Sequence, residues 1–129
     1  MVTTYRRFVA ETKRLEGLQG VPTKREMYAH SAFACESLTV TSVHRIALAF
    51  SFLDNNVENA KIKSAIFKTQ LLTPREIHDC CLRSKPFDHG NGIYARAMWL
   101  RMMVRLGAED IALKRGFLAS FYLPPSGPA

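Results

Sequence analysis

The sequence predicts an all-α protein, because apolar residues recur at helical spacing in almost every segment. Two segments, 23–26 (Thr-Lys-Arg-Glu) and 73–76 (Thr-Pro-Arg-Glu), are capping boxes typical of helix starts. No segment has the alternating apolar and polar pattern of a half-buried strand. The clearest helical stripe has members at i, i+3, i+4, i+7 and i+10: Tyr5, Phe8, Val9, Thr12 and Leu15.

The first two helices are delimited by residues that start and stop helices. The first helix is predicted to begin after a cap at Thr3 or Thr4 and to end over 17–20, where two glycines break the pattern. The second is predicted to begin after Thr23, since the threonine and a glutamate three residues later satisfy each other's free backbone N–H groups. It runs to about Glu36.

The third helix is predicted to begin near Thr41 or Ser42. Asp-Asn-Asn at 54–56 interrupts it as a turn or a fresh cap, and helical spacing continues over 60–72. These three helical segments make up the first part of the chain.

The second capping box begins a short helix that stops by Ser84, because threonine stands at the cap and proline in the first turn. Residues 84–92 form a loop, and a helix from about Ile93 to Leu106 follows, closed by Gly107. Its apolar face is wide enough for both sides to be buried. The last residues, 124–129, have the composition of an unstructured tail.

The composition fits one compact domain of 129 residues with a hydrophobic core. A formal net charge of +7 favours nucleic acid, anionic lipid or an acidic protein as partner. The longest apolar run, 46–53, is far shorter than the roughly 20 residues of a membrane-spanning helix. The three cysteines, of which two are adjacent, are a poor disulfide framework.

The one candidate cluster for a metal or thiol site consists of His78, Cys80, Cys81 and His89. Thiolate and imidazole suit zinc, but structural zinc sites use paired spacings such as C-x2-C, and adjacent cysteines do not easily point at one ion. A cysteine nucleophile would also need an oxyanion hole and an orienting group, and the sequence indicates neither. We therefore expect no metal site and no catalytic residues.

The first helix is the strongest candidate for a binding surface. Arg6 and Lys13 are seven residues apart, as are Arg7 and Arg14, so that basic side chains flank the apolar stripe headed by Tyr5. Arginine offers a planar fork of donors that matches carboxylate or phosphate. This helix is therefore predicted to bind an acidic partner.

Residues 4–15 resemble the opening helix of the LYR-motif family of small mitochondrial proteins. Their sequence is Thr-Tyr-Arg-Arg-Phe-Val-Ala-Glu-Thr-Lys-Arg-Leu. Tyr5 and Arg6 match the Leu-Tyr-Arg motif, and Thr4 stands in place of its leucine. The family's downstream aromatic residue corresponds to Phe33 or Tyr28.

Within this family, the chain is most similar to the matrix-side LYR accessory subunit of respiratory complex I. The similarity lies in segments 24–28 (Lys-Arg-Glu-Met-Tyr) and 116–122 (Gly-Phe-Leu-Ala-Ser-Phe-Tyr), and residues 73–115 have no counterpart that we can name. It implies an LYR-type antiparallel three-helix bundle over residues 1–72. An additional helical C-terminal extension, residues 73–129, is expected to pack on the same domain or on neighbouring subunits.

The resemblance implies a non-catalytic accessory subunit of mitochondrial NADH:ubiquinone oxidoreductase (complex I), an electron-transport enzyme of the respiratory chain. Such a subunit lies on the matrix side of the inner membrane, contacts the membrane only through the complex, and has no cofactor of its own. Its implied partners are other subunits of the complex and the mitochondrial acyl carrier protein, which is bound by Tyr5, Arg6, Arg7, Lys13, Arg14, Lys24 and Arg25. The partner's acyl-phosphopantetheine chain would enter a channel lined by Phe8, Val9, and Phe33 or Tyr28.

Two other functions remain open. The first alternative is another LYR protein, either an assembly factor or an iron–sulfur cluster adaptor, but the extension after residue 70 favours a resident subunit. A basic RNA-binding protein, such as a mitochondrial ribosomal protein, is favoured by the net charge and by Arg96, Arg101 and Arg105 on one late helix. Aromatic residues are not interleaved with these arginines as in single-strand binders, so we expect no nucleic-acid partner.

Overall fold

The computed structural model describes residues 2–52, 66 and 72–122. A short 3₁₀ turn, Val2–Tyr5, leads directly into the first α-helix. The α-helices follow in this order: α1 Arg6–Leu15, α2 Lys24–Cys35, α3 Val40–Ala49, α4 Pro74–Ser84, α5 Asn91–Arg105, α6 Glu109–Arg115 and α7 Phe117–Ser120. Within these residues no strand occurs, and the predicted all-α class is confirmed.

The two capping boxes read from the sequence are present at the starts of α2 and α4. The Thr23 hydroxyl accepts a hydrogen bond from the Glu26 backbone N–H at 3.1 Å, and the Glu26 carboxylate accepts one from the Thr23 N–H at 2.8 Å. Thr73 and Glu76 make the same reciprocal pair at 3.2 and 3.0 Å. Both predicted helix starts are therefore confirmed.

Helix α3 begins at Val40 and is capped by Thr39, one residue before the predicted start near Thr41 or Ser42. The Thr39 hydroxyl accepts from the Ser42 N–H at 3.2 Å, while the Ser42 hydroxyl accepts from the Thr39 N–H at 2.9 Å. Serine thus takes the part that glutamate or glutamine usually plays in a capping box. Because serine stands at this position, the usual capping-box pattern did not indicate where α3 begins.

The fifth helix, α5, begins at Asn91, two residues earlier than predicted. The Asn91 side chain closes the preceding loop, because its amide donates to the Phe87 carbonyl at 2.7 Å and its oxygen accepts from the Phe87 N–H at 3.1 Å. The predicted interruption at 54–56, most of the helical stretch 60–72 and the tail 124–129 lie outside the described residues.

The fifth helix is the centre of the core, since every residue from Ile93 to Arg101 is buried. The Trp99 ring stacks on Phe8 of α1 with 6.1 Å between centroids and meets Phe117 edge-on at 5.1 Å. A single hydrophobic cluster extends from Tyr5 to Phe117. Residues 72–122 therefore share one core with residues 2–52.

Two buried arginines bond α5 to the first two helices. Arg96 donates from Nε to the Thr12 hydroxyl at 2.5 Å and from Nη2 to the Glu16 carboxylate at 2.6 Å. Arg101 donates to the Phe33 carbonyl at 2.9 Å, near the end of α2. These bonds are required because a buried guanidinium without partners would be strongly destabilising. Of the helices described, none is long and apolar enough to cross a membrane.

The position of the α3 cap gives a direct test of this fold. Thr39→Ala is expected to lower the free energy of unfolding by about 1 kcal/mol, because the Ser42 N–H loses its side-chain acceptor. Thr41→Ala is the matched control, since Thr41 is exposed and is not the cap. Urea denaturation of both variants gives the two values, and an equal loss in Thr41→Ala would contradict the assigned cap.

Candidate functional site

The basic side chains around α1 and the start of α2 form the candidate site. Five of the seven residues predicted to bind an acidic partner are exposed: Arg6, Arg7, Arg14, Lys24 and Arg25. The other two, Tyr5 and Lys13, are buried. Arg7 also donates a hydrogen bond to the backbone carbonyl of Lys114 at the end of α6, so that its guanidinium is held against that helix.

Lys13 lies inside the protein and is not on the predicted binding surface. Its side chain is 8% exposed, and Nζ lies 3.0 Å from the Glu26 carboxylate and 3.3 Å from the Val21 carbonyl. A buried ammonium needs such partners, because an unpaired charge in an apolar environment is strongly destabilising. Lys13 therefore anchors the α1–α2 loop to the start of α2.

Tyr5 is likewise placed inward. Its hydroxyl donates to the Glu109 carboxylate at 3.2 Å and lies 3.7 Å from the Cys35 sulfur. Burial raises the pKa of Tyr5, so the phenol stays protonated at neutral pH. The Tyr5 side chain thus connects the first turn to α2 and α6.

All three acidic residues between positions 5 and 30 are bonded within the fold. The Glu11 carboxylate accepts hydrogen bonds from the Phe117 and Leu118 backbone N–H groups at the first turn of α7, the second at 3.2 Å. Glu16 pairs with Arg96, and Glu26 pairs with Lys13. The acidic side chains of this segment are therefore bonded within the fold, while five of its six basic side chains are exposed.

The Glu11 contact also explains why residue 116 is a glycine. A Cβ at position 116 would lie 2.7 Å from Glu11 Oε1, and Gly116 has a φ of +85°. Both the close approach and the left-handed backbone favour glycine there. Sequence patterns did not reveal this role of Glu11, since its partners are 106 and 107 residues away.

Three of the four residues predicted to line an acyl-chain channel come together in the core, whereas Tyr28 does not. Phe8, Val9 and Phe33 are fully buried, and Tyr28 is 52% exposed beneath the Arg45 guanidinium. The Phe8 ring contacts Trp99, and the Phe33 ring meets Tyr94 edge-on at 6.2 Å between centroids. Aromatic side chains of α5 therefore pack directly against these residues.

The candidate metal and thiol residues are spread over α4 and the following loop. His78 lies 3.0 Å from the Asp79 carboxylate and packs against Phe117, while His89 is exposed. Burial raises the pKa of the Cys81 thiol to about 12, so that it carries little thiolate at neutral pH. In the portion of the chain that is described, no three His, Cys, Asp or Glu side chains are grouped to hold a metal ion.

The late arginines that favoured RNA binding are largely buried. Arg96 and Arg101 are each 7% exposed and donate within the protein, and Arg105 alone of the three is exposed. Two of these three guanidinium groups are therefore unavailable to contact phosphates. Comparison with known proteins adds no relative, since the chain matches no protein-family model, no curated protein and no solved structure.

The histidine that packs against Phe8 gives a pH-dependent prediction. His30 is buried edge-on to Phe8 at 5.7 Å between centroids, and burial lowers its pKa from 6.5 to about 4. The unfolded chain takes up this proton below pH 6.5, whereas the folded chain does so only near pH 4. The free energy of unfolding should therefore fall by about 3 kcal/mol as the pH drops through this window, and should not change through this group at higher pH.

His30→Leu should remove this part of the pH dependence, as measured by urea denaturation at a series of pH values. His89→Leu supplies the control, because it makes the same replacement at an exposed position. Burial also lowers the pKa of His78. Because His78 is present in the wild type and in both variants, its contribution to the slope is common to all three and does not affect the comparison. An unchanged slope in His30→Leu would contradict the assignment.

Proposed function

We propose that this chain is a non-catalytic adaptor of the LYR type that binds an acidic carrier protein through α1 and the start of α2. The observation that carries the proposal is the separation of charge in residues 5–30: the acidic side chains are bonded to partners within the fold, and five basic side chains are exposed. Such a surface attracts an acidic protein and directs its approach.

The exposed basic residues are free to bind a partner. Arg6, Arg14, Lys24 and Arg25 form no ion pair with any acidic residue that the structure describes. Charge-assisted hydrogen bonds from guanidinium and ammonium groups to carboxylates are shorter and stronger than neutral ones. The mitochondrial acyl carrier protein is the proposed partner, since it is acidic and is the partner of the family that the first helix resembles.

In this proposal α1, α2 and α3 correspond to the LYR three-helix bundle, and α4 to α7 form the extension. Tyr5 and Lys13 support the binding surface from inside, because they hold α1 against α6 and against the α1–α2 loop. The surface itself consists of the exposed basic side chains. This assignment replaces the expectation that all seven residues touch the partner.

The close packing of the core restricts where the acyl chain of the carrier protein can lie. An acyl-phosphopantetheine chain inserted between Phe8, Val9 and Phe33 would have to displace Trp99 or Tyr94, both of which are fully buried. Displacing such aromatic side chains is unfavourable by several kcal/mol. We therefore propose that protein–protein contacts provide most of the affinity.

The charged surface can be tested by binding to the purified holo acyl carrier protein. Arg6→Glu combined with Arg14→Glu should weaken binding at least tenfold, because two attractive charges become repulsive. Arg83→Glu combined with Arg105→Glu makes the same change in net charge at exposed positions of α4 and α5, and should have little effect. Isothermal titration calorimetry measures both affinities, and native mass spectrometry identifies the bound acyl mass.

Absence of binding by the wild-type chain would contradict the carrier-protein proposal. An equal loss in the two double variants would show that net charge, and not this surface, determines binding. Lys13 is left unchanged in the experiment, because reversing a buried charge beside Glu26 would unfold the protein.

We further propose that the chain is a resident accessory subunit of complex I, peripheral on the matrix side of the mitochondrial inner membrane. The tagged chain should then co-migrate with complex I on a native gel of mitochondrial membranes solubilised in mild detergent. An assembly factor would instead migrate with smaller intermediates and disappear from the mature complex. Migration with the ribosome would support the RNA-binding alternative.

A further inference from the structure

The end of α1 and the α1–α2 loop, residues 16–23, expose three large apolar side chains within seven residues. Leu15 is 42% exposed, Leu18 is 40% exposed and Val21 is 75% exposed. Single exposed apolar residues are ordinary on protein surfaces, but a group of three within seven residues indicates a contact surface.

Hydrogen bonds hold the loop in this outward arrangement. The Leu18 N–H donates to the Lys13 carbonyl at 2.9 Å, and the Lys13 ammonium donates to the Val21 carbonyl at 3.3 Å. Gly17 and Gly20 have positive φ angles of 71° and 93°, which let the chain turn twice between the two helices. The loop is thus folded around the buried Lys13, with its apolar side chains on the outside.

Basic residues border these apolar side chains on both sides. Arg14 precedes the loop, and Lys24 and Arg25 follow it in the first turn of α2, all three exposed. The acidic neighbours Glu16 and Glu26 are paired with Arg96 and Lys13. The surface around the loop is therefore positive as well as apolar.

We propose that the α1–α2 loop binds an anionic phospholipid bilayer directly. Val21, Leu18 and Leu15 would enter the interface between headgroups and acyl chains, while the three basic side chains contact lipid phosphates. A bilayer is favoured over a protein because it accepts outward-pointing apolar side chains without a matching pocket for each. The inference goes beyond the proposed carrier-protein adaptor and differs from the expectation that membrane contact occurs only through the complex.

The test is co-sedimentation of the full chain with two kinds of vesicle, one of pure phosphatidylcholine and one of equal parts phosphatidylcholine and phosphatidylglycerol. The wild-type chain should sediment with the second kind only. Leu18→Ser combined with Val21→Ser should weaken this binding by about tenfold or more, since less apolar surface enters the interface. Val21→Ser alone, at the most exposed position, should give a smaller loss in the same direction.

The charge contribution is tested with a second double variant. Lys24→Gln combined with Arg25→Gln should weaken vesicle binding by roughly fivefold for each charge removed. The matched controls lie at exposed positions elsewhere: Leu106→Ser for the apolar changes, and Arg83→Gln combined with Arg105→Gln for the charges. Leu106 and Arg105 stand at the end of α5 that is opposite to the Arg96–Glu16 contact. The controls should bind as the wild type does.

Four results would overturn the inference. They are no binding to either vesicle, equal binding to both, wild-type binding by the loop variants, and an equal loss in the controls. The loop variants are also titrated with the holo acyl carrier protein. If they lose carrier binding but keep vesicle binding, the loop is a protein contact and the bilayer assignment is wrong. Failure of the carrier protein to bind the wild-type chain would leave the vesicle result unaffected.

Discussion

Two buried guanidinium groups on the central helix determine how the rest of the chain is arranged. A charged group in an apolar core is tolerated only when its donors are bonded, and Arg96 and Arg101 find their acceptors on different helices. Arg96 donates hydrogen bonds to Thr12 and Glu16 at the end of the first helix, and Arg101 donates to backbone carbonyls at the end of α2. The aromatic contacts of Trp99 and Tyr94 then fill the space between these polar connections.

The surface charge of the protein follows from this internal bonding. Glu16 is held inward by Arg96, Glu26 by Lys13, and Glu11 by the backbone N–H groups at the start of α7. The segment keeps four exposed arginines and the exposed Lys24, while its three carboxylates are bonded within the fold. A segment with charges of both signs thus presents a strongly basic surface, which is the feature that favours an acidic partner.

The carrier-protein surface and the bilayer-binding loop are neighbours. Arg14, Lys24 and Arg25 belong to both, because they are exposed basic residues of the carrier surface and also border the apolar loop. Arg6 and Arg7 lie two turns before Arg14 on α1 and belong to the carrier surface alone. The two proposed contacts therefore share three basic residues, and a carrier protein that uses all five would compete with a bilayer for these three.

The sequence by itself determined the all-α class and the starts of α2 and α4, because capping boxes are local: the bonded residues are three positions apart. It placed the start of α3 slightly late, where Ser42 replaces the usual glutamate. Only the tertiary structure decided which basic residues face solvent, since Lys13 and Glu26 belong to different helices, and Glu16 and Arg96 are 80 residues apart. Helical periodicity placed Lys13 beside the apolar stripe, but a partner on another helix was needed to bury its charge.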